Sequence, residues 1–220
     1  DDVPSDVAAA MGMAYQTAWF ALMDRGAMQA GDRVLVLGAT GGVGMAAVQL
    51  AKALGAGQVI AVSRGPDGVR MARDLGADFA IDGRMENLRD GLRDAVLKAT
   101  EGQGGDVVID PVGGEMSAAA MRAMAWCGRL VVVGFAAGTV PQFGGNYLLV
   151  KNISISGLQW TDYRARQRER MQAAQAEIFR LWREGRLAPR IDRHLSLDRY
   201  AEGLAALKAG EADGKIILVM

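Results

Sequence analysis

An apolar run, Val34-Leu35-Val36-Leu37, breaks at Gly38, passes through Gly41, Gly42 and Gly44, and resumes as Val48-Gln49-Leu50-Ala51-Lys52. Aliphatic residues in unbroken succession mark a strand covered on both faces, as in a parallel sheet. Beyond the glycines, Val43, Ala47, Leu50 and Ala51 fall on one side of a helix. Such a junction leaves free backbone N–H groups and the positive end of a helix dipole at one point. That point suits a pyrophosphate.

The rest of the chain repeats the alternation. Residues 59–62, 79–81, 106–110 and 129–134 read as further strands, and 66–75, 87–100 and 116–124 as the helices between them. A sixth strand with period-two alternation is expected over 153–157. One long helix then runs from Thr161 or Asp162 to about Glu184. Strands alternating with helices predict an α/β fold: a Rossmann-type, doubly wound, parallel six-stranded sheet with helices on both faces. Residues 1–30 form a helical preface capped by Ser5 or Asp6. Residues 31–186 form the nucleotide-binding domain. Residues 187–220 form a tail with an isolated segment, a helix and a closing strand.

Composition narrows the partners. Lys plus Arg and Asp plus Glu both total 25, so no global charge draws the chain to nucleic acid or to an acidic membrane. No apolar run approaches the roughly 20 residues that cross a bilayer, and the acidic start is unlike a signal peptide. The single cysteine, Cys127, excludes an internal disulfide and a Cys-rich zinc site. It fits a reducing, cytoplasmic setting and reads as a small packing residue. His194, the single histidine, reads as a surface residue of the tail, and no cluster has zinc-ligand spacing. The arginines at 164, 166, 168 and 170 read as a solvated face.

The glycine spacing is Gly38-x-x-Gly41-x-x-Gly44, with Gly42 added and Ala39 where the usual fingerprint has its first glycine. The stretch Ala39, Thr40, Gly41, Gly42, Val43 and Gly44 is the candidate pyrophosphate cradle. About twenty residues on, NAD enzymes place an acid on the ribose diol. Here that position reads Val62-Ser63-Arg64. A hydroxyl and an arginine suit a 2′-phosphate and hence NADPH, the plain alternative being an ordinary loop arginine. Ligands in open parallel sheets sit at the carboxyl ends of strands, so Val112 and Gly113 after strand four and Phe135 after strand five are expected to face the candidate site, the plain alternative being tight loops in which glycine is common anyway.

The segment 17–22, the glycine loop with its helix, Asp110-Pro111-Val112-Gly113-Gly114 and the terminal Gly214-Lys215-Ile216-Ile217-Leu218 occur in the order found in the medium-chain dehydrogenase/reductase superfamily. The chain resembles its zinc-independent NADPH:quinone oxidoreductase branch, the zeta-crystallin-like enzymes, over nearly its whole length. The resemblance implies hydride transfer from NADPH to a quinone or an activated alkene. It implies that Thr17 reaches the nicotinamide ribose or amide, that Phe135 lines the nicotinamide side, and that Asn146 lies near it. It implies a homodimer through the edge strand of Ile153, Ser154, Ile155 and Ser156. It further implies an N-terminal GroES-like catalytic domain preceding Asp1, on which the tail normally packs. No catalytic residue is assigned within this chain, which alone is expected to bind cofactor with little turnover.

Two other readings compete. A non-catalytic cofactor-sensing module would share every glycine feature. A short-chain dehydrogenase would use Tyr147 and Lys151, which have Tyr-x-x-x-Lys spacing. That chemistry needs both on one helical face. With Gly144-Gly145 upstream and a strand soon after Lys151, no helix long enough is expected there.

Overall fold

In the computed structural model, which describes residues 2–220, six strands form one sheet. They are β1 (Arg33–Leu37), β2 (Gln58–Ser63), β3 (Phe79–Asp82), β4 (Gly105–Asp110), β5 (Met124–Val132) and β6 (Ser154–Gly157). Their spatial order is β3-β2-β1-β4-β5-β6, and every pairing is parallel. Residues 34–37 have no exposed surface. Side chains still alternate: Val34 and Val36 enter one apolar layer, Leu35 and Leu37 the other. The continuous apolar run therefore serves two cores at once, each buried aliphatic side chain contributing roughly 1.5–3 kcal/mol.

The first layer holds α2 (Met13–Trp19), α3 (Gly42–Ala53), α4 (Gly65–Asp74) through Ala72, and α9 (Arg168–Arg183), the second α5 (Leu88–Ala99) and α6 (Gly114–Arg122). The preface, with α1 (Ser5–Ala10) ahead of α2, continues from α2 as a π-helical turn, Phe20–Arg25. Its Met11, Tyr15, Phe20 and Leu22 are buried in the first layer. Pro4 rather than Ser5 or Asp6 is the cap of α1; Asp6 instead accepts the Val7 N–H from inside the helix.

Several expected boundaries are corrected. The long helix is two, α8 (Trp160–Arg166) and α9, broken at Gln167, which has φ −137° and ψ 52°. The buried stripe Met171, Ala174, Ile178 and Leu181 starts beyond the break, and the half-buried Trp160 and Tyr163 of α8 pack on the same apolar layer. Strand five starts at Met124, where the preceding helix was expected to end, and its register against β4 slips between Gly105 and Val107. The extra residues bulge outward at Trp126 and Cys127, where Cys127 has φ +60°. Cys127 is thus exposed rather than packed.

The tail pairs with itself. Its expected isolated segment is β7 (Ile191–Ser196), which lies parallel to β8 (Lys215–Val219) and is joined to it by α10 (Tyr200–Ala209). A parallel pair needs a crossover of this length, and α10 supplies it within the tail. Leu204, Leu207, Leu218 and Val219 remain exposed.

Candidate functional site

Strand β1 lies between β2 and β4, so the chain leaves it toward one side and returns on the other. The crevice at this reversal, outside the carboxyl ends of the strands, is where such sheets bind ligands. A cavity of about 920 Å³ occupies it.

The floor is the glycine loop. Gly38 adopts φ +62°, Gly41 N–H donates to the Gly38 carbonyl at 3.0 Å, and α3 starts at Gly42 with no side chain capping it. The first N–H groups of α3 therefore present donors and positive potential to the cleft. A Cβ on Gly44 would stand 2.8 Å from Ala39 Cα, so only glycine lets α3 approach β1 this closely.

At the end of β2, Ser63 is 3% exposed and its Oγ has no partner among the described residues. An orphaned buried hydroxyl costs about 1–3 kcal/mol unless something bonds it. Arg64, next in line, lines the same cleft and makes no ion pair or hydrogen bond among the described residues. A free hydroxyl, a free guanidinium and no unneutralised carboxylate between them fit a phosphorylated ribose.

The opposite wall comes from β4. Asp110 is fully buried and accepts the N–H groups of Val112 and Gly113, each at 2.9 Å, and the hydroxyl of Ser117. It fixes the turn into α6 and does not enter the cleft. Gly113 has φ +80°, and a Cβ there would stand 2.8 Å from the Thr139 carbonyl, so the loop after β5 packs directly on this turn.

Of the residues singled out from sequence, Thr40, Gly41, Gly42, Val43, Gly44, Ser63, Arg64, Val112 and Gly113 line this one cleft. The others lie outside its lining. Ala39 is fully buried, its N–H donating to the Val62 carbonyl, which turns its side chain into the core. Thr17 is buried on α2, which packs against α3. Phe135 sits behind Gly113, half exposed. Asn146 lies on α7 (Gly145–Lys151), beside Gly144.

That α7 exists corrects an expectation, since it puts Tyr147 and Lys151 on one short helix ended by Asn152 in the left-handed conformation. The pair is nonetheless committed elsewhere. Lys151 Nζ donates to the Arg122 and Met124 carbonyls at 2.7 and 2.9 Å, tying the last residue of α6 to the first of β5. The Tyr147 hydroxyl accepts from Arg122. Neither residue lines the principal cleft.

Lys215 was missed. The first residue of β8, it carries its Nζ to 2.8 Å from where a Cβ of Gly42 would be, at the start of α3. It is half-buried with no partner among the described residues, and burial pushes its pKa below the ordinary lysine value. The available signal was a lone cation opening an apolar strand. His194 is exposed and pairs with Asp6 at 3.1 Å. Among the described residues no group of three or more His, Cys, Asp or Glu could hold a metal, and no helix is long and apolar enough to cross a membrane.

The same fold recurs among known proteins. The family described as zinc-binding dehydrogenase matches residues 42–178. A quinone oxidoreductase-like protein 2 from Bos taurus is 34% identical over 96% of this chain, which spans 59% of that relative's length. The quinone oxidoreductase of Pseudomonas syringae superposes with a TM-score of 0.87 at 28% identity, over 100% of this chain and 66% of its own. A mycobacterial protein solved in complex with NADPH superposes with a TM-score of 0.89 at 27% identity, over 100% of this chain and 67% of its own.

Proposed function

Because the chain belongs to the zinc-binding dehydrogenase family of the medium-chain dehydrogenase/reductase superfamily, we propose that it is the NADPH-holding part of an oxidoreductase that reduces a quinone or an activated alkene. One observation carries the cofactor assignment: the orphaned Ser63 hydroxyl and the unpaired Arg64, side by side above the glycine loop. When bound, NADPH supplies the hydride.

The chain's own residues hold and orient. The N–H groups at the start of α3 take the pyrophosphate, with Lys215 beside them. Ser63 and Arg64 take the 2′-phosphate. Val43, Val112 and Met116 give the cleft an apolar wall against which the cofactor would displace water. Orientation and dryness are what such a transfer chiefly needs. The substrate cleft itself belongs to a GroES-like domain outside these 220 residues, and the chain acts without zinc, in the cytoplasm. Strand β6, at one edge of the sheet, is proposed to pair with a second copy.

The test is titration of the purified chain with NADPH and NADH. NADPH is expected to bind more tightly, with little or no turnover of a quinone. Arg64→Asp is expected to weaken NADPH more than NADH. Equal loss for both would sink the role of Arg64; binding of neither cofactor to the wild type would sink the reading.

A further inference from the structure

We propose that Arg84, from the loop after β3, is the second cation of the ribose-phosphate site and sets its preference for a phosphomonoester; this rests on the NADPH reading above. Strands β2 and β3 pair with Ser63 opposite Asp82, so the loops that leave them emerge together. Asp82 Oδ1 accepts the Gly65 N–H at 2.9 Å, the Arg84 N–H at 3.0 Å and Arg84 Nε at 3.3 Å. Its Oδ2 accepts Arg84 Nη2 at 3.1 Å. The guanidinium is thereby turned back over the end of β2. Gly65 receives it: the residue has φ +72°, and a Cβ there would stand 2.6 Å from Nη2 and 2.8 Å from Cζ. Any side chain at 65 would displace the arginine. Arg84 lines the same cleft as Arg64 and Ser63.

The arrangement answers an electrostatic problem. An acid at the end of β3 would repel a phosphate bound at the end of β2. Hydrogen bonds from Arg84, Gly65 and the Arg84 backbone hold the Asp82 carboxyl down to about 2, so it is charged at every working pH. Arg84 cancels that charge. A guanidinium carries five N–H donors, of which Asp82 uses two, and the rest are free for phosphate oxygens. Two arginines and a buried hydroxyl then line one cleft. Loss of Arg84 removes a cation and uncovers an anion together.

The experiment compares NADPH, NADH, 2′,5′-ADP, 3′,5′-ADP and 5′-AMP by calorimetric titration of the wild-type chain, Arg84→Gln and Arg84→Gln/Asp82→Asn. For Arg84→Gln, NADPH and 2′,5′-ADP are expected to weaken about 10- to 100-fold, the worth of a charge-assisted hydrogen bond. NADH and 5′-AMP should change less than about twofold. The double variant should regain part of the loss, because asparagine still accepts the Gly65 N–H but no longer repels phosphate. An arginine that merely braced the loop would give no such recovery and no split between the cofactors. Arg84 is more than half exposed, so the variant keeps the fold. NADPH binding unchanged in Arg84→Gln overturns the inference while leaving the cofactor reading intact. Equal wild-type affinity for NADPH and NADH, or tighter binding of 3′,5′-ADP than of 2′,5′-ADP, overturns the 2′-phosphate site. A wild-type chain that binds no nucleotide overturns both.

Discussion

Adding one methyl group at Gly44 tests whether the glycine loop is built by close backbone approach. An alanine Cβ at 44 would lie 2.8 Å from Ala39 Cα and from the Gly38 carbonyl carbon, and closer still to the Gly38 oxygen. Carbon atoms in contact prefer about 3.5–4.0 Å, so the overlap is roughly 1 Å. Both neighbours are backbone, and neither can rotate away. The start of α3 must lift off β1, an overpacking cost of about 2–3 kcal/mol. Alanine's better helix propensity returns at most about 1 kcal/mol. The net loss, about 1–3 kcal/mol, lowers the melting temperature of a domain this size by roughly 2–12 °C. The same shift moves the pyrophosphate donors, so NADPH should weaken as well. Gly41→Ala is the matched control. Gly41 has φ −76°, and a Cβ there meets only the Gly38 oxygen at 3.3 Å. That variant should melt within about 2 °C of the wild type, yet lose cofactor affinity because Gly41 lines the cleft. Thermal melts followed by circular dichroism, with and without NADPH, read both quantities. A Gly44→Ala chain that melts and binds like the wild type, or a Gly41→Ala chain that is the less stable of the two, would refute this reasoning.

Three further predictions follow from the same geometry. Lys215→Met should weaken NADPH and NADH alike, by about 10-fold, since both carry the pyrophosphate. In the wild type, burial lowers the Lys215 pKa and a bound anion raises it again, so affinity is full below the lowered value and declines as pH rises through it; the same pH profile in the variant would count against a phosphate contact. Asp110→Ala strands the N–H groups of Val112 and Gly113 and the Ser117 hydroxyl, and should cost about 2–4 kcal/mol in urea denaturation, whereas a loss under about 0.5 kcal/mol would show that the turn stands without it. In the tail, a sheet of two strands is marginal on its own, so amides 216–219 should exchange hydrogen far faster than amides 34–37; equal protection in a demonstrated monomer would argue that the tail is a full part of the cooperative core.

Most of the sheet could be read directly, because each buried strand is a short apolar run and each turn a glycine. Boundaries failed where two signals ran together. Residues 124–128 continue the apolar pattern of α6, yet they are already paired in β5 and bulge at Cys127. Gln167 carries no turn signal, and the break there lets Trp160 and Tyr163 of α8 reach Gln16 and Asp24 of the preface while packing on the same apolar layer as the stripe that begins at Met171. At the site, contiguous residues were legible and distant ones were not. Thr40 to Gly44, Ser63 and Arg64 follow their strands directly into the cleft. Thr17 and Asn146 came from resemblance alone and lie outside its lining.

By itself the sequence determined the doubly wound parallel sheet and the phosphate-binding loop, because both depend on neighbours along the chain: an apolar strand, a glycine turn and a helix start within a dozen or so residues. It also determined that no acid ends β2. Only the tertiary structure decided which charges meet there. Lys215 reaches Gly42 from the first residue of β8, a strand that packs beside the preface helix α1. Arg84 reaches Gly65 because β3 pairs with β2 and Asp82 turns it back. Tyr147 and Lys151 are drawn away because they bond the junction of α6 and β5, Tyr147 through the Arg122 guanidinium and Lys151 through the Arg122 and Met124 carbonyls. Hydrogen bonding within a strand–turn–helix is local and can be read from spacing, whereas the meeting of charges from separate strands is set by register.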